Sequence, residues 1–277
     1  MTQPLTGVRI LDLSQMLGGP YGTMILGDLG AEIIKIEKPG EGEIGRGMPP
    51  HFFHGESVYF LSVNRNKQSL TLDLKAKEGL DIFYRLVKVS DVVYDNFRPG
   101  VLEKLRIDYE TLKKTNPRLV YASISGFGQD GPYANRPGLD QIAQGVSGLM
   151  SITGMPGTQP TRVGIAVSDS TSGVYLSFGI LLALLQRERT GVGQWVNTSL
   201  VQALLALMDF QAARYLISGE VPPQAGNDHP TAVPQGVFKT ADGYINISGS
   251  GAMFPRLCNA IGLPELIKHP DYIDFKL

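Results

Sequence analysis

The sequence predicts an α/β protein on a mostly parallel sheet, and three observations carry that expectation. Short apolar strands alternate with helix-like runs through the first half of the chain. A strand, a Gly-Pro break, a helix-like run and a second strand open the chain as a βαβ unit. Of the 277 residues, 43% are hydrophobic and 18% charged, enough to bury a large core.

Residues 8–13 read as the first strand, and the run after Gly18-Gly19-Pro20 up to Leu29 as the first helix. Residues 31–37 form a second strand, and residues 66–75 contain a third. Residues 76–87 place Leu80, Ile82, Phe83 and Leu86 on one helical face. Strands follow at residues 91–94 and, after Asn116-Pro117, at 119–123. Beyond Gly138 the texture turns helical, with helices expected over 140–150, 169–187 and 200–217 and a strand at 194–197. A Pro- and Gly-rich stretch, 219–234, precedes two runs joined through Asp242-Gly243, a hairpin signal. A large domain over 1–224 and the beginning of a smaller, incomplete one over 225–277 are therefore expected.

Composition excludes several classes of function. A formal net charge of −1 lacks the basic surplus that a nucleic-acid backbone or an anionic membrane demands. The single cysteine, Cys258, falls on the apolar face of a helical pattern with Phe254, Leu257 and Ile261, so no disulfide framework exists. The N-terminal residues lack the basic and apolar regions of a leader, and a cytoplasmic protein is expected. The longest apolar stretch, 173–185, is shorter than the roughly 18 residues of a membrane span and reads as a core helix.

Gly126-Phe127-Gly128-Gln129-Asp130-Gly131 has the spacing of a dinucleotide fingerprint, but Pro132 and Pro137 prevent a helix from opening at the glycines. Lys38, Arg98, Lys104 and Arg136 stand where loops leave the carboxyl ends of strands; they are either solvated surface charge or the walls of a crevice for a phosphorylated ligand. Asp169, before Ser170, Thr171 and Ser172, reads as a helix N-cap. A carboxylate there is also expected to keep a low pKa and to be nucleophilic without a base. Gly249-Ser250-Gly251 is a strand-to-helix turn or a flexible lid. His51, His54, His229 and His269 show no metal-ligand or acid-base spacing.

In order, residues 7–13, 27–37 and Asp95-Asn96-Phe97-Arg98-Pro99-Gly100 resemble the family III CoA-transferases. The resemblance continues through Ser125-Gly126-Phe127-Gly128, Pro137-Gly138-Leu139-Asp140, residues 148–154, Arg162-Val163-Gly164, Ser168-Asp169-Ser170 and Gly191-Val192-Gly193-Gln194-Trp195-Val196. It implies a Rossmann-like CoA-binding domain, chains that run past residue 277, and a homodimer of two interlocked rings. It also implies Asp169 as the catalytic nucleophile, with Gly249 and Gly251 in the catalytic lid. Gln15, Lys38, Asn96, Phe97, Arg98, Lys104, Arg136 and Asp140 are implied to contact coenzyme A, which is a substrate as its thioester rather than a tightly bound cofactor. The implied partners are an acyl-CoA and a small carboxylic acid. Two alternatives accompany this reading: an α-methylacyl-CoA racemase, whose catalytic histidine corresponds to Leu139 here, and an inactive CoA-binding fragment.

Overall fold

The chain is represented by a computed structural model that describes residues 3–272. Its elements, in order, are β1 (Arg9–Asp12), α1 (Gly18–Asp28), β2 (Glu32–Glu37), β3 (Phe52–Phe53), β4 (Glu56–Ser57), α2 (Val58–Val63), β5 (Lys67–Thr71), α3 (Lys77–Lys88), β6 (Val92–Asp95), α4 (Val101–Lys104), α5 (Tyr109–Thr115) and β7 (Val120–Ser125). There follow α6 (Asp140–Val146), α7 (Leu149–Ile152), α8 (Val167–Thr190), β8 (Trp195–Ser199), α9 (Leu200–Leu207), α10 (Asp209–Ser218), β9 (Gln235–Lys239), β10 (Tyr244–Ser248) and α11 (Phe254–Ala260).

The described residues divide into two compact units. The first comprises residues up to Ser147 together with Val163–Ala212, and the second comprises Gly148–Arg162 and the residues from Ala213 onward. The division falls inside α10, whereas sequence reading puts a boundary near residue 225.

A six-stranded sheet in the order β5-β2-β1-β6-β7-β8 organises the first unit. Every neighbouring pair is parallel, with Leu11 opposite both Ile34 and Val93. All residues of β6 and β7 are buried, as central parallel strands covered on both faces must be. On one face Leu11, Val93, Leu119 and Tyr121 pack with Phe83 and Val87 of α3, Leu112 of α5 and Ile107. The chain steps from β1 outward to β2 and β5, then returns to β6 on the opposite side of β1. This reversal opens a crevice beyond the carboxyl ends of β1 and β6.

The α8 helix is longer than its apolar run suggests, because Val167 with the polar residues 168–172, and the arginines near its end, continue the helix. By length and hydropathy it could cross a membrane. One face is nevertheless packed inside the protein through Ser172, Gly173, Leu176, Ile180 and Ala183, and buried Arg187 donates to Asp91 at 2.9 Å. These contacts are those of a core helix.

Two expected helices are broken. The run over 140–150 divides into α6 and α7 because Gly148 adopts φ +88°, a conformation open to glycine. The run over 200–217 divides at Met208, where Asp209 turns to φ +40°.

In the second unit β9 and β10 form the expected antiparallel hairpin, Tyr244 opposite Lys239. The Thr240 amide donates to the Gly243 carbonyl at 2.9 Å, closing the turn. Cys258 is fully buried in α11, as its pattern predicts. Of the C-terminal stretch, residues 273–277 lie outside the described residues, as do residues 1–2 of the expected leaderless start.

Candidate functional site

The crevice at the strand reversal holds a cavity of about 380 Å³ within the first unit. Its walls come from loops that leave β1, β6 and β7 and from the starts of α6, α8 and α9. Gln15, Asn96, Phe97, Arg98, Arg136, Asp140 and Asp169 all line it, with Leu139 beside them.

Gln15 and Asn96 join across the reversal point. The Gln15 amide donates to Asn96 Oδ1 at 2.8 Å, and Asn96 Nδ2 donates back to the Gln15 carbonyl at 2.7 Å. The Asn96 side chain is therefore engaged in holding the β1 loop. Next along that loop, Met16 sits at φ +66°, which costs a non-glycine residue on the order of 1 kcal/mol.

Glycine at Gly18 lets the start of α1 reach the start of α8. A Cβ there would lie 3.0 Å from Asp169 Oδ1, and one on Gly173 would lie 2.6 Å from the Gly18 carbonyl oxygen. Ser177 Oγ adds a bond to the Gly22 carbonyl at 3.0 Å. This close approach sets the backbone of Gly18 against the Asp169 carboxylate, where its amide favours the ionised form.

Asp169 is not the N-cap of α8. The helix begins at Val167 after Ala166, which puts Asp169 in the first turn, and a side chain from α6 serves the open amide end. Asp140 Oδ1 accepts from both the amide (3.0 Å) and the hydroxyl (2.9 Å) of Ser168, while Oδ2 accepts from Gln144 Nε2 at 2.8 Å. The cap thus comes from a residue distant in sequence, so the local pattern around Asp169 could not reveal it.

The expected low pKa is likewise corrected. Burial and the neighbouring Asp140 raise the Asp169 carboxyl to about 6, and the Gly18 amide only partly opposes them. At neutral pH Asp169 is still mostly ionised, and it is more basic than an ordinary carboxylate. Tyr59 of α2 also lines the cavity, and burial together with the Asp169, Glu43 and Asp140 charges pushes its hydroxyl up to about 12.

A second cavity of about 320 Å³ shares Gln15 and Phe97 with the first. Leu13, Ile36, Leu72, Leu74 and Leu105 make its apolar wall, and Lys38 and Lys75 stand at its edge. Lys38 pairs with Glu41 at 2.9 Å in the open. Lys104, on α4, is exposed and lines neither cavity. Gly249 and Gly251 belong to the second unit. There the Gly249 amide donates to the Pro234 carbonyl at 2.9 Å, Gly249 lies against Leu257, and Gly251 adopts φ +59° as the first residue of a short 3-10 turn.

Residues 126–131 form bends with no helix until Asp140, so no dinucleotide-type helix terminus exists there. Gly126 instead crosses Gly138 backbone to backbone; a Cβ on it would meet the Gly138 Cα at 2.4 Å. Behind the Asn96–Pro99 wall, Trp195 Nε1 donates to Ser123 Oγ (3.1 Å), which donates to Asp95 Oδ2 (2.8 Å), and Asp95 Oδ1 accepts from the Phe97 amide (3.0 Å). Burial raises Asp95 to about 7 against those bonds.

Beneath the Gln15 loop lies a cluster of buried charges that sequence reading did not single out. Asp12 accepts from Ser14 and from Thr23 Oγ1 (2.7 Å) and pairs with Lys67 at 3.1 Å and Lys35 at 3.9 Å. Lys35 Nζ donates to the Ser14 carbonyl at 2.8 Å and faces Glu43 Oε2 at 3.6 Å. Lysines and carboxylates in a strand normally signal a solvated face, so only the closure of the loop over them marks these as interior. Among the described residues, no group of His, Cys, Asp and Glu could hold a metal ion.

The chain is 44% identical to a succinyl-CoA:glutarate CoA-transferase of Mus musculus, over 98% of this chain and 62% of that protein. It is 43% identical to an acetyl-CoA:oxalate CoA-transferase of Acetobacter aceti, over 98% of this chain and 70% of that protein. The chain thus spans less than two thirds of the mouse relative's length. In three dimensions it matches a CAIB/BAIF family protein from Brucella suis with a TM-score of 0.87 and 39% identity, covering 98% of this chain and 73% of that one. With the family model matching residues 5–277, and with a parallel sheet whose reversal point carries the aspartate-lined cavity, the chain belongs to CoA-transferase family III.

Proposed function

We propose that the protein moves coenzyme A from an acyl-CoA donor to a carboxylic acid, with Asp169 as the covalent nucleophile. The observation that carries this reading is the Asp169 carboxylate, half-buried at the cavity wall against the backbone of Gly18 and raised to about 6. A carboxylate of that basicity is ionised at neutral pH yet more nucleophilic than a solvated one. The relatives' names, which pair CoA donors with dicarboxylic acids, support the same class.

Asp169 attacks the thioester carbonyl, forming an acyl-aspartyl anhydride and expelling CoA thiolate. The thiolate then attacks the aspartyl carbonyl of the anhydride, releasing the donor acid and leaving an aspartyl-CoA thioester. The acceptor carboxylate attacks that thioester, expelling thiolate again and giving a mixed anhydride. Thiolate attack on the acceptor's acyl carbon yields acceptor-CoA and regenerates Asp169. Each step exchanges one acyl bond for another, so atoms and electrons balance without a redox partner.

In this reading the thioester end enters the cavity of Asp169, and the nucleotide end occupies the second cavity, between its leucine wall and Lys38 and Lys75. Arg98 and Arg136 then face the anionic acids, the Arg136 guanidinium being stacked over the Tyr133 ring at 4.0 Å. Gly249 and Gly251 are kept as lid residues on the family resemblance. Leu139, at the cavity edge and 68% exposed, cannot move a proton, which disfavours racemase chemistry. A homodimer is proposed with it, supported by the exposed apolar stripe of Val174, Tyr175, Phe178, Leu182 and Leu185 along α8.

Asp169→Ala is expected to lower transfer from succinyl-CoA to a panel of acids by at least about 10³-fold, with CoA affinity measured by calorimetry nearly unchanged. Hydroxylamine added during turnover should mark Asp169 as its hydroxamate in the parent only. Full activity in Asp169→Ala would sink the proposal.

A further inference from the structure

We infer that Glu43 is a positioning residue for this chemistry: from beneath, its carboxylate locks the loop at Gln15, Met16 and Leu17 in the conformation that delivers Gln15 to the cavity and the Gly18 amide to Asp169. The inference rests on the reading of Asp169 as the reacting group.

Glu43 lies in the loop after β2, 3% exposed, as the cap of a short 3-10 turn. Its Oε1 accepts the Met16 amide at 2.8 Å and the Gly45 amide at 2.7 Å. Its Oε2 has no hydrogen bond and faces Lys35 Nζ at 3.6 Å. That same ammonium donates to the Ser14 carbonyl at 2.8 Å. One ion pair therefore grips the loop at Ser14 and again at Met16.

The grip closes on the one residue of the loop with a left-handed backbone, Met16 at φ +66°. Without an acceptor for its amide, Met16 gains by returning to ordinary backbone angles. Asn96 holds Gln15 from the other side, so Glu43 and Asn96 together clamp consecutive peptides. The residue after next, Gly18, begins α1, whose preceding residue supplies no side-chain cap, and its backbone lies close against Asp169, so that a Cβ on it would stand 3.0 Å from Asp169 Oδ1. Rotation at Met16 thus turns the very donor that opposes the raised basicity of Asp169.

Stability alone gives no reason for this arrangement. Buried ion pairs can often be replaced by apolar residues of similar size without loss, whereas an apolar residue at 43 could not accept the Met16 amide. What the carboxylate adds is a defined loop geometry.

The test uses the whole purified protein, its Glu43→Ala variant and the double variant Met16→Gly/Glu43→Ala. Glycine reaches φ +66° without strain but many other angles as readily, so the double variant removes the clamp and frees the loop while keeping it easy to fold. The ionisable side chains lining the Asp169 cavity are Asp140, Tyr59, Arg98 and Arg136, and all remain in place. In nitrogen–proton spectra the parent's Gly18 amide should titrate with a midpoint near pH 6. In the variants that midpoint is expected to rise by about half a unit or more as the amide turns away, with kcat/KM for transfer down about 30-fold and KM for acyl-CoA little changed. Leu112→Ala, in the fully buried core, serves as the control that loses stability and keeps the Gly18 midpoint. A parental Gly18 midpoint in either folded variant, or a parental kcat/KM, overturns the inference. If Asp169→Ala proves fully active, the catalytic reading fails, and the Gly18 midpoint alone still decides whether Glu43 holds the loop.

Discussion

Asp12 and Asp169 lie in the same unit, on opposite sides of the Gln15 loop, and burial pushes both carboxyls upward. Lys35 and Lys67, helped by Ser14 and Thr23, overcome that push at Asp12 and hold it far below the ordinary carboxylate range. At Asp169 the neighbour is another carboxylate, Asp140, and a lone backbone amide is the main opposing group. The same residue type is made a fixed anion in one place and a basic, reactive group in the other. The difference lies in what stands within reach, since both are removed from water. Lys67 bears part of the cost: burial lowers it to about 8 despite Asp12.

The comparison breaks most visibly through stability. Asp12→Ala leaves Lys67 buried without its anion and Lys35 with Glu43 alone, and should cost about 3–5 kcal/mol in urea unfolding at pH 7. A loss below about 1 kcal/mol would mean that the cluster is not held by Asp12.

Asp169 should act in the opposite sense. Its folded pKa, about 6, lies above the ordinary 3.8, so the folded state holds the proton more tightly. Its ionised form therefore disfavours folding above about pH 6, and that penalty fades as pH falls towards 3.8 and is absent below it. Asp169→Asn is expected to gain on the order of 2 kcal/mol at pH 7, with the gain gone at pH 3.5. Destabilisation at pH 7 would show that Asp169 is a structural anion like Asp12.

The smallest effect sharpens the role of Asp140. Asp140→Asn keeps an oxygen for Ser168 and removes the charge that raises Asp169, so the acid limb of kcat/KM should move down by less than about one pH unit. An unmoved or rising limb would assign the raised basicity to burial alone.

Strands β1, β2, β6 and β7 were legible from short β-branched and apolar clusters, Ile10-Leu11, Ile33-Ile34, Val92-Val93 and Val120-Tyr121, set between helix-like runs, and not from their polar members, most of which are buried all the same. The α3 helix was legible from its single apolar face. The breaks at Gly148 and Asp209 were not, since each is one backbone angle inside an otherwise helical run. Most of the cavity residues were found through motif order, which records a family's site. Tyr59, Lys75 and Glu43 were missed: Tyr59 belongs to a six-residue helix in a stretch to which no element was assigned, Lys75 ends the stretch that holds the third strand, and Glu43 sits among the glycines of residues 40–47. The pKa of Asp169 was misjudged because Asp140 reaches it only through the folding of α6 against α8.

Trp195 is the chain's one tryptophan. Its indole shares a proton with Ser123, Ser123 with Asp95, and Asp95 takes the amide of Phe97 in the cavity wall. The wall that would meet coenzyme A is thereby wired to the only indole chromophore in the sequence, and movement there carries its own optical signal without any attached label.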